Sequence, residues 1–409
     1  MSFPKHIEAF LKAYIKRTFL ADTRLKNFSD KDFGPKDLKF FGEGAQELSE
    51  LFTSERSDLP NNYLNEKKYR AGYLLYFLPL NFCKAQSVLL QLPEALFKKP
   101  KLKILDLGCG PGTFTLALLD LLAQIAPKDK KEIDVLSLDL NYHVTKDAHA
   151  LHELLKEHLK AKEIPFKVNF LAKTFDLRRG KPDTLLKNDQ YDLILSANFL
   201  NEWDHSDADT KSKFLEKIYM RHLSPEGFMM LLDPALQWTS RELMELRDEI
   251  LARKKLYLYA PCLHQKECPM LRAGDRDWCH FYIEWQEPEF MKQLSKMLKT
   301  KNDFLKTSYM IFSKAEKSVL DKVLGKAKAA DVYRVISNLM GSKGKAEVVL
   351  CGPAGRWHVM RQDKNASPKN KAFSEMHRGD LAVIPQLKER DFTVNGEVKL
   401  EKDDVLTKL

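Results

Sequence analysis

"ILDLGCGPGTFTLALLDLL", residues 104–122, reads as an apolar strand, a glycine-rich turn and an apolar helix in direct succession. Asp106 lies in the strand, and Gly108, Gly110 and Gly112 make the turn. Glycine carries no Cβ, so such a turn lets backbone N–H groups and a helix N-terminus approach a ligand closely. Asp139 stands near the end of the next apolar run, "EIDVLSLDL" (132–140), where a carboxylate can accept hydrogen bonds from both hydroxyls of a ribose.

Outward from this stretch the same alternation continues. "FKVNFLA" (166–172), "YDLILSAN" (191–198) and "GFMMLLDP" (227–234) are short apolar runs separated by helix-like segments such as "HALHELLKEHL" (149–159). Strands alternating with helices predict an α/β fold built on a mainly parallel sheet. A dinucleotide-binding turn shows G-x-G-x-x-G, whereas this chain has "DLGCGPGT" (106–113), which resembles the first motif of S-adenosylmethionine-dependent methyltransferases. That resemblance implies a Rossmann-like methyltransferase fold with S-adenosylmethionine as cofactor. Asp106, Gly108, Gly110 and Gly112 would cradle the methionine part, Asp139 would hold the ribose, and Asn198, in "YDLILSANFLNEW", would sit beside the methyl group. Cys109 reads as a small loop residue.

The reaction machinery is not legible. "SANFLNEW" (196–203) is not the Asn-Pro-Pro-Tyr-like clamp of base aminomethyltransferases. Pro261-Cys262 offers the dipeptide of cytosine C5 chemistry, but it follows the helix after the fifth strand, away from the donor turn. Glu202 is a weak candidate base, and the catalytic residues stay unassigned.

The chain of 409 residues, 44% hydrophobic and 30% charged, exceeds one ordinary core and carries no bias toward disorder. Three regions are expected: an N-terminal helical region (1–99), a methyltransferase-like domain (100–315) with a cysteine-rich insertion (259–281), and a C-terminal β module (316–409). In "MSFPKHIEAFLKAYIKRTFLADTRLKNF" (1–28), Ile7, Phe10, Leu11, Tyr14, Ile15 and Phe19 recur on one face of a helix. Glu8, Asp22 and the scarcity of serine argue for a packed first helix over a presequence. The aromatics of "NNYLNEKKYRAGYLLYFLPLNFCKAQSVLLQL" (61–92) read as helical core up to an interruption at Pro79. Ser240 reads as the cap of the helix after the fifth strand, with Leu243, Leu246, Ile250 and Leu251 on its packed side. "HFYIEWQ" (280–286) and "TSYMIFSK" (307–314) read as late strands of the sheet. "VYRVISNL", "KAEVVLC", "RWHVMRQ" and "GDLAVIP" form the β module, and the tail from Val394 is expected to pair weakly or fray. The longest apolar runs fall short of the ~20 residues of a membrane-spanning helix, so no membrane association is expected. A cytoplasmic location follows, or the mitochondrial matrix in a eukaryote, and the protein reads as a monomer.

Three of the six cysteines crowd into "YAPCLHQKECPMLRAGDRDWCHF" (259–281). In a reducing compartment such a group binds metal or does redox work more often than it forms disulfides. Cys262, Cys268 and Cys279 supply three soft ligands, and Cys351, ending "AEVVLC", can supply a fourth. His264 or His280 can add nitrogen to a zinc site, and four thiolates equally suit a [4Fe–4S] cube; spacing does not choose between them.

"YAPCLHQKECPM", "DWCHF", "TSYMIFSK" and "VVLCGPAGRW" resemble the signature of methyltransferase-like small-ribosomal-subunit assembly proteins of the Rsm-twenty-two type, best known from mitochondria and also found in bacteria. The likeness extends through "YRAGYLLYFLP", "ILDLGCGPGT", "SANFLNEW" and "LLDPA". It implies a [4Fe–4S] cluster on Cys262, Cys268, Cys279 and Cys351, an S-adenosylmethionine pocket, and small-subunit ribosomal RNA and the immature small subunit as partners. This chain departs from the pattern at Asp233-Pro234-Ala235, where Glu-Pro-Gly is expected, and its first ninety residues match in patches.

Net charge is +10, which suits a polyanionic partner. Two stretches concentrate it, Phe290–Lys314 and Gly341–Arg378. Two functions follow: an assembly and translation factor that binds ribosomal RNA, S-adenosylmethionine and a cluster, or an active ribosomal RNA methyltransferase. A radical S-adenosylmethionine enzyme is excluded by spacing, because its cluster cysteines lie as Cys-x3-Cys-x2-Cys.

Overall fold

The computed structural model describes residues 1–20, 33–53, 63–203, 206–325, 327–387 and 391–409. They belong to two compact units, Met1–Asp204 with Ile283–Leu305, and His205–Tyr282 with Lys306–Leu409.

In the first unit, strands β1 (Lys101–Leu107), β2 (Lys131–Asp139), β3 (Phe166–Thr174) and β4 (Tyr191–Ala197) are parallel in the order β3-β2-β1-β4. This is a Rossmann-type α/β arrangement. The chain steps outward from β1 to β3 and then returns to the other side of β1. Ligands in such sheets bind at that switch point, beyond the carboxyl ends of the strands. The register places Asp106 opposite Ser137 of β2 and Leu107 opposite Ser196 of β4.

The helix Thr113–Ile125 leaves the glycine turn with every residue from Thr113 to Ala123 buried, so it is enclosed on all sides, and it packs along the helix Leu78–Leu89. The helix Tyr142–Ala161 is capped by Asn141, whose Oδ1 accepts from the N–H groups of His143 (2.8 Å) and Val144 (3.3 Å). A cap of this kind contributes about 1 kcal/mol.

The first helix spans Lys5–Ile15 and runs on through a π turn to Leu20, burying Ile7, Leu11, Tyr14, Ile15 and Phe19. Residues 21–28 and 61–62 of the sequence reading lie outside the described residues. Pro79 does not interrupt its helix: Lys67–Gly72, a π turn over Tyr73–Phe77, and Leu78–Leu89 follow without a break. The wider π hydrogen bonds, including Leu78 N–H to Tyr73 C=O, accommodate the ring, and Pro79 falls in the first turn of the segment that follows, where its missing N–H costs little.

In the second unit, β5 (Leu223–Pro234) and β6 (Tyr257–Ala260) both pair antiparallel with β8 (Phe304–Ser313), which β7 (Phe281–Glu284) also joins. A further sheet runs β14-β12-β11-β9-β13-β15, with β10 on β11. Its strands are β9 (Val332–Val335), β10 (Met340–Ser342), β11 (Lys345–Gly352), β12 (Gly355–Gln362), β13 (Leu381–Val383), β14 (Thr393–Leu400) and β15 (Thr407–Lys408). Tyr333, Val348, Leu350, Trp357, Val359 and Phe373 fill its core.

Two sequence expectations are corrected here. The tail does not fray: β14 pairs parallel with β12, because Gly396 lets the strand lie against the Trp357 ring, where a Cβ would come within 2.3 Å of Cε3. Ser240 is not a cap, since its helix begins at Gln237, and its hydroxyl instead meets that of Ser308 at 2.7 Å.

Candidate functional site

At the carboxyl ends of β1, β2 and β4 the first unit gathers Asp106, the glycine turn, Asp139 and Asn198. Gly108 has φ of +71°, and a Cβ there would stand 2.4 Å from Cγ of Phe199. The ring of the residue after Asn198 therefore lies directly on the turn, and Asn198 itself bends the chain with φ of +53°. Gly110 has φ of +52° with nothing within 4 Å of its Cβ position, so the tip of the turn faces open space. Both Asp139 oxygens accept backbone N–H groups, Oδ2 from Gly110 and Oδ1 from Asn141, each at 2.8 Å. Asp139 thus fixes the turn and keeps further lone pairs for hydroxyl donors. Its pKa is raised by burial, against the lowering effect of those bonds.

Asp106 is 1% exposed, and its Oδ2 has no hydrogen-bond partner. Burial, reinforced by the charge of Asp139, pushes its pKa up to about 8. A buried carboxylate in this condition favours a cationic donor, which would pay back the ionisation that burial opposes.

Behind the turn, His152 is fully buried and stacks on Phe170 at 3.5 Å. Its Nδ1 lies 2.7 Å from the Ala148 carbonyl and must donate there, leaving Nε2 to accept from the Thr115 hydroxyl at 2.9 Å. Burial holds His152 neutral, with its pKa lowered to about 3. The clamp packs against Gly112, which begins the helix at φ of +73°.

Ahead of the turn, Asn141 Nδ2 donates to Asn65 Oδ1 at 3.0 Å, and Tyr63 OH donates to Glu202 Oε1 at 3.3 Å. The short turn Tyr63–Asn65 therefore reaches both Asn141 and Glu202. It is held from beneath by Arg70, which donates to the Leu64 carbonyl (3.1 Å) and pairs with Asp147 (3.1 Å), itself bound by Tyr14 OH (2.5 Å).

In the second unit the four cysteines of the sequence reading share one neighbourhood. Burial raises the Cys351 thiol well above its usual range, and the charges of Cys262, Cys268 and Cys279 raise it further; Cys268 is pushed up to about 11 by burial and then Cys262. Buried guanidinium groups surround them. Arg247, 0% exposed, donates to the carbonyls of His264 and Lys266 and so shapes the loop between Cys262 and Cys268. Arg334 and Arg356 both stand opposite Cys351 in register. Arg334 donates to the Pro261 carbonyl at 2.7 Å, and Arg356 pairs with Asp277 at 2.8 Å, so each ties Cys351's strands to the cysteine segment. Nε of Arg247, Arg356 and Arg378 has no partner. His264 Nε2 lies 3.7 Å from Cys351 Sγ, and burial lowers its pKa to about 3. Among the described residues no group of three or more His, Cys, Asp or Glu is arranged to hold a metal ion.

The family model for mitochondrial small ribosomal subunit Rsm22 matches residues 67–381, a span that contains both sites. The chain belongs to the Rsm22 family. No curated protein matches this Rsm22-family chain. Among solved structures it is similar to a protein described as a class I S-adenosylmethionine-dependent methyltransferase from Listeria monocytogenes, with 15% identity, 76% of this chain and 88% of that chain covered, and TM-score 0.39. It is also similar to the magnesium protoporphyrin IX methyltransferase from Synechocystis PCC 6803 with bound S-adenosylhomocysteine, with 12% identity, 66% and 100% covered, and TM-score 0.35.

In this Rsm22-family chain, Asp106, Gly108, Gly110, Gly112, Asp139 and Asn198 lie at one end of the parallel sheet, and Cys262, Cys268, Cys279 and Cys351 lie within electrostatic range of one another in the other unit. Sequence reading missed Tyr63, Asn65 and Asn141, and assigned the tyrosines near residue 73 to the core. Tyr76 is buried, but Tyr73 is partly exposed. An Asn directly before a helix was a cap signal; nothing local marked its second bond to Asn65. No helix among the described residues is long and apolar enough to cross a membrane.

Proposed function

We propose that this protein is a small-ribosomal-subunit assembly factor of methyltransferase-like fold that binds ribosomal RNA, takes S-adenosylmethionine at the glycine turn, and carries a [4Fe–4S] cluster on Cys262, Cys268, Cys279 and Cys351. The observation that carries the reading is that the family match from 67 to 381 encloses a donor-type turn and a four-cysteine neighbourhood lined with buried arginines. Arg247 and Arg356 already pair with Asp248 and Asp277, but the Nε groups of Arg247, Arg356 and Arg378 have no acceptor, and four thiolates on a cluster would supply acceptors and negative charge for them. A single zinc ion would draw its sulfurs to about 3.8 Å from one another, given Zn–S bonds of ~2.3 Å. A cube spreads its thiolates further, each on its own iron. When bound, the cluster would act as a cross-link whose binding energy becomes folding energy.

At the donor turn, Asp106 would accept from the methionine ammonium, Asp139 would hold the ribose, and the open tip at Gly110 would admit the ligand backbone-close. The chain's charge of +10 favours RNA as the macromolecular partner. A second reading, an active RNA methyltransferase, draws on Glu202 standing beside the donor turn through Tyr63.

Anaerobic purification with absorption spectra and iron, sulfide and zinc analysis tests the cluster. About four irons and four sulfides per chain are expected in the wild type, with loss in Cys279→Ser. Stoichiometric zinc without iron or sulfide would overturn it. Methyl-transfer assays on immature small subunits separate the two functional readings: donor binding without turnover supports the assembly factor, and turnover supports the enzyme.

A further inference from the structure

We propose that the turn Tyr63–Asn65, with the rings of Phe52, Tyr73 and Phe77 around it and the Glu202 carboxylate beside it, forms a stacking pocket for one unpaired RNA nucleobase next to the donor turn. The inference rests on reading that turn as the S-adenosylmethionine site.

The rings form one connected group. Phe52 meets Tyr63 edge-on at 5.6 Å and Phe77 at 5.3 Å, while Tyr73 stacks on Phe77 at 5.7 Å with planes 30° apart. All four are partly exposed, whereas Tyr76 and Phe82, on the same run of helix, are buried. Core packing accounts for Tyr76 and Phe82 but leaves the other four rings with partly open faces, which together form an aromatic platform.

Three observations place the platform at the donor turn. Asn65 bonds Asn141, whose N–H donates to Asp139. Tyr63 bonds Glu202, four residues beyond Asn198. Asn81 Nδ2 reaches the Tyr73 hydroxyl at 3.5 Å, and that hydroxyl lies within electrostatic range of both Glu202 and Asp139. The buried chain Tyr14–Asp147–Arg70–Leu64 ties the turn from behind.

The chemistry selects a nucleobase. Every base offers a π-face to an aromatic ring, and stacking of this kind is tolerant of sequence. A carboxylate accepts only, so Glu202 favours the N–H edge of a planar heterocycle over an aliphatic or anionic ligand. Bases of single-stranded RNA are recognised in this way, splayed out of the helix, and the net positive charge of the chain attracts the backbone that carries them.

The test uses the full chain, purified anaerobically, with a single-stranded RNA dodecamer carrying one 2-aminopurine, whose fluorescence is quenched on stacking. Quenching that saturates is expected for the wild type, with affinity about tenfold weaker in Tyr63→Leu and in Phe77→Leu. Tyr63→Phe keeps the ring and is expected to stay near wild type, which separates stacking from the loss of a hydroxyl. S-adenosylhomocysteine binding by calorimetry reports on the donor turn and on folding of each variant. If both leucine variants bind and quench like the wild type while still binding S-adenosylhomocysteine, the pocket is refuted and the RNA sits elsewhere. If 2-aminopurine riboside alone binds as tightly as the dodecamer, the ligand is a small heterocycle and the RNA assignment is overturned. A wild type that quenches normally but never binds S-adenosylhomocysteine would sink the donor reading and leave the base pocket standing.

Discussion

Replacing Asp106 by asparagine is expected to stabilise the ligand-free protein while weakening donor binding. The carboxyl is 1% exposed, and its pKa stands at about 8 against an ordinary 3.8. Because folding raises this pKa, the native state binds more protons than the unfolded chain between those values, and stability falls as pH rises through that window. At pH 7 the difference amounts to roughly 3.2 pH units of ionisation free energy, or about 4 kcal/mol; at pH 5 it is about 1.5 kcal/mol. Asparagine has nearly the same shape and does not ionise, so Asp106→Asn should gain close to those amounts. Urea unfolding of both proteins at pH 5 and pH 7 reads the gain. In parallel, calorimetry with S-adenosylhomocysteine should show a loss of about ten- to a hundredfold in affinity, since a charge-assisted hydrogen bond contributes roughly 1.5–3 kcal/mol. A gain in stability that is equal at both pH values, or a loss at pH 7, would refute the reasoning, because no ionisation penalty would then reside at Asp106. Unchanged ligand affinity would remove Asp106 from the donor site.

Gly108→Ala should weaken S-adenosylhomocysteine binding about tenfold or more without unfolding the chain. Its φ of +71° costs a Cβ-bearing residue about 1–2 kcal/mol, and the Phe199 ring must also move; wild-type affinity would show that the turn relaxes freely. Arg247→Met should destabilise the second unit by about 3–5 kcal/mol, since it removes the buried partner of Asp248 and the donor to the carbonyls of His264 and Lys266, and should lower the metal content of the purified protein. Thermal unfolding followed by iron and zinc analysis reads both effects, and full metal retention at wild-type stability would contradict the role given to this side chain.

The strand, turn and helix of residues 104–122 were written locally, because apolar runs and glycines at positive φ are short-range features that leave a short-range mark. So were the first helix, the parallel alternation and the strands after residue 330. Clustering of Cys262, Cys268 and Cys279 was visible as spacing, and Cys351 was legible as a candidate fourth ligand, but its nearness to them in space was not. What the tertiary structure decided was which distant polar groups meet. Arg247, Arg334 and Arg356 are indistinguishable in sequence from the surface charges around them; strand register sets Arg334 and Arg356 beside Cys351, and the packing of its helix buries Arg247. Asn65, Asn141, Tyr63 and Glu202 come together because the helical region supplies a turn that lies by the carboxyl ends of β2 and β4. Pro79 and the C-terminal tail were misread for the same reason: a π turn five residues earlier, and a glycine lying flat on a tryptophan from another strand, change what a residue costs without changing its neighbours in the chain. Periodicity and turn chemistry are properties of a segment, whereas burial, pairing and pKa belong to the surroundings that folding assembles.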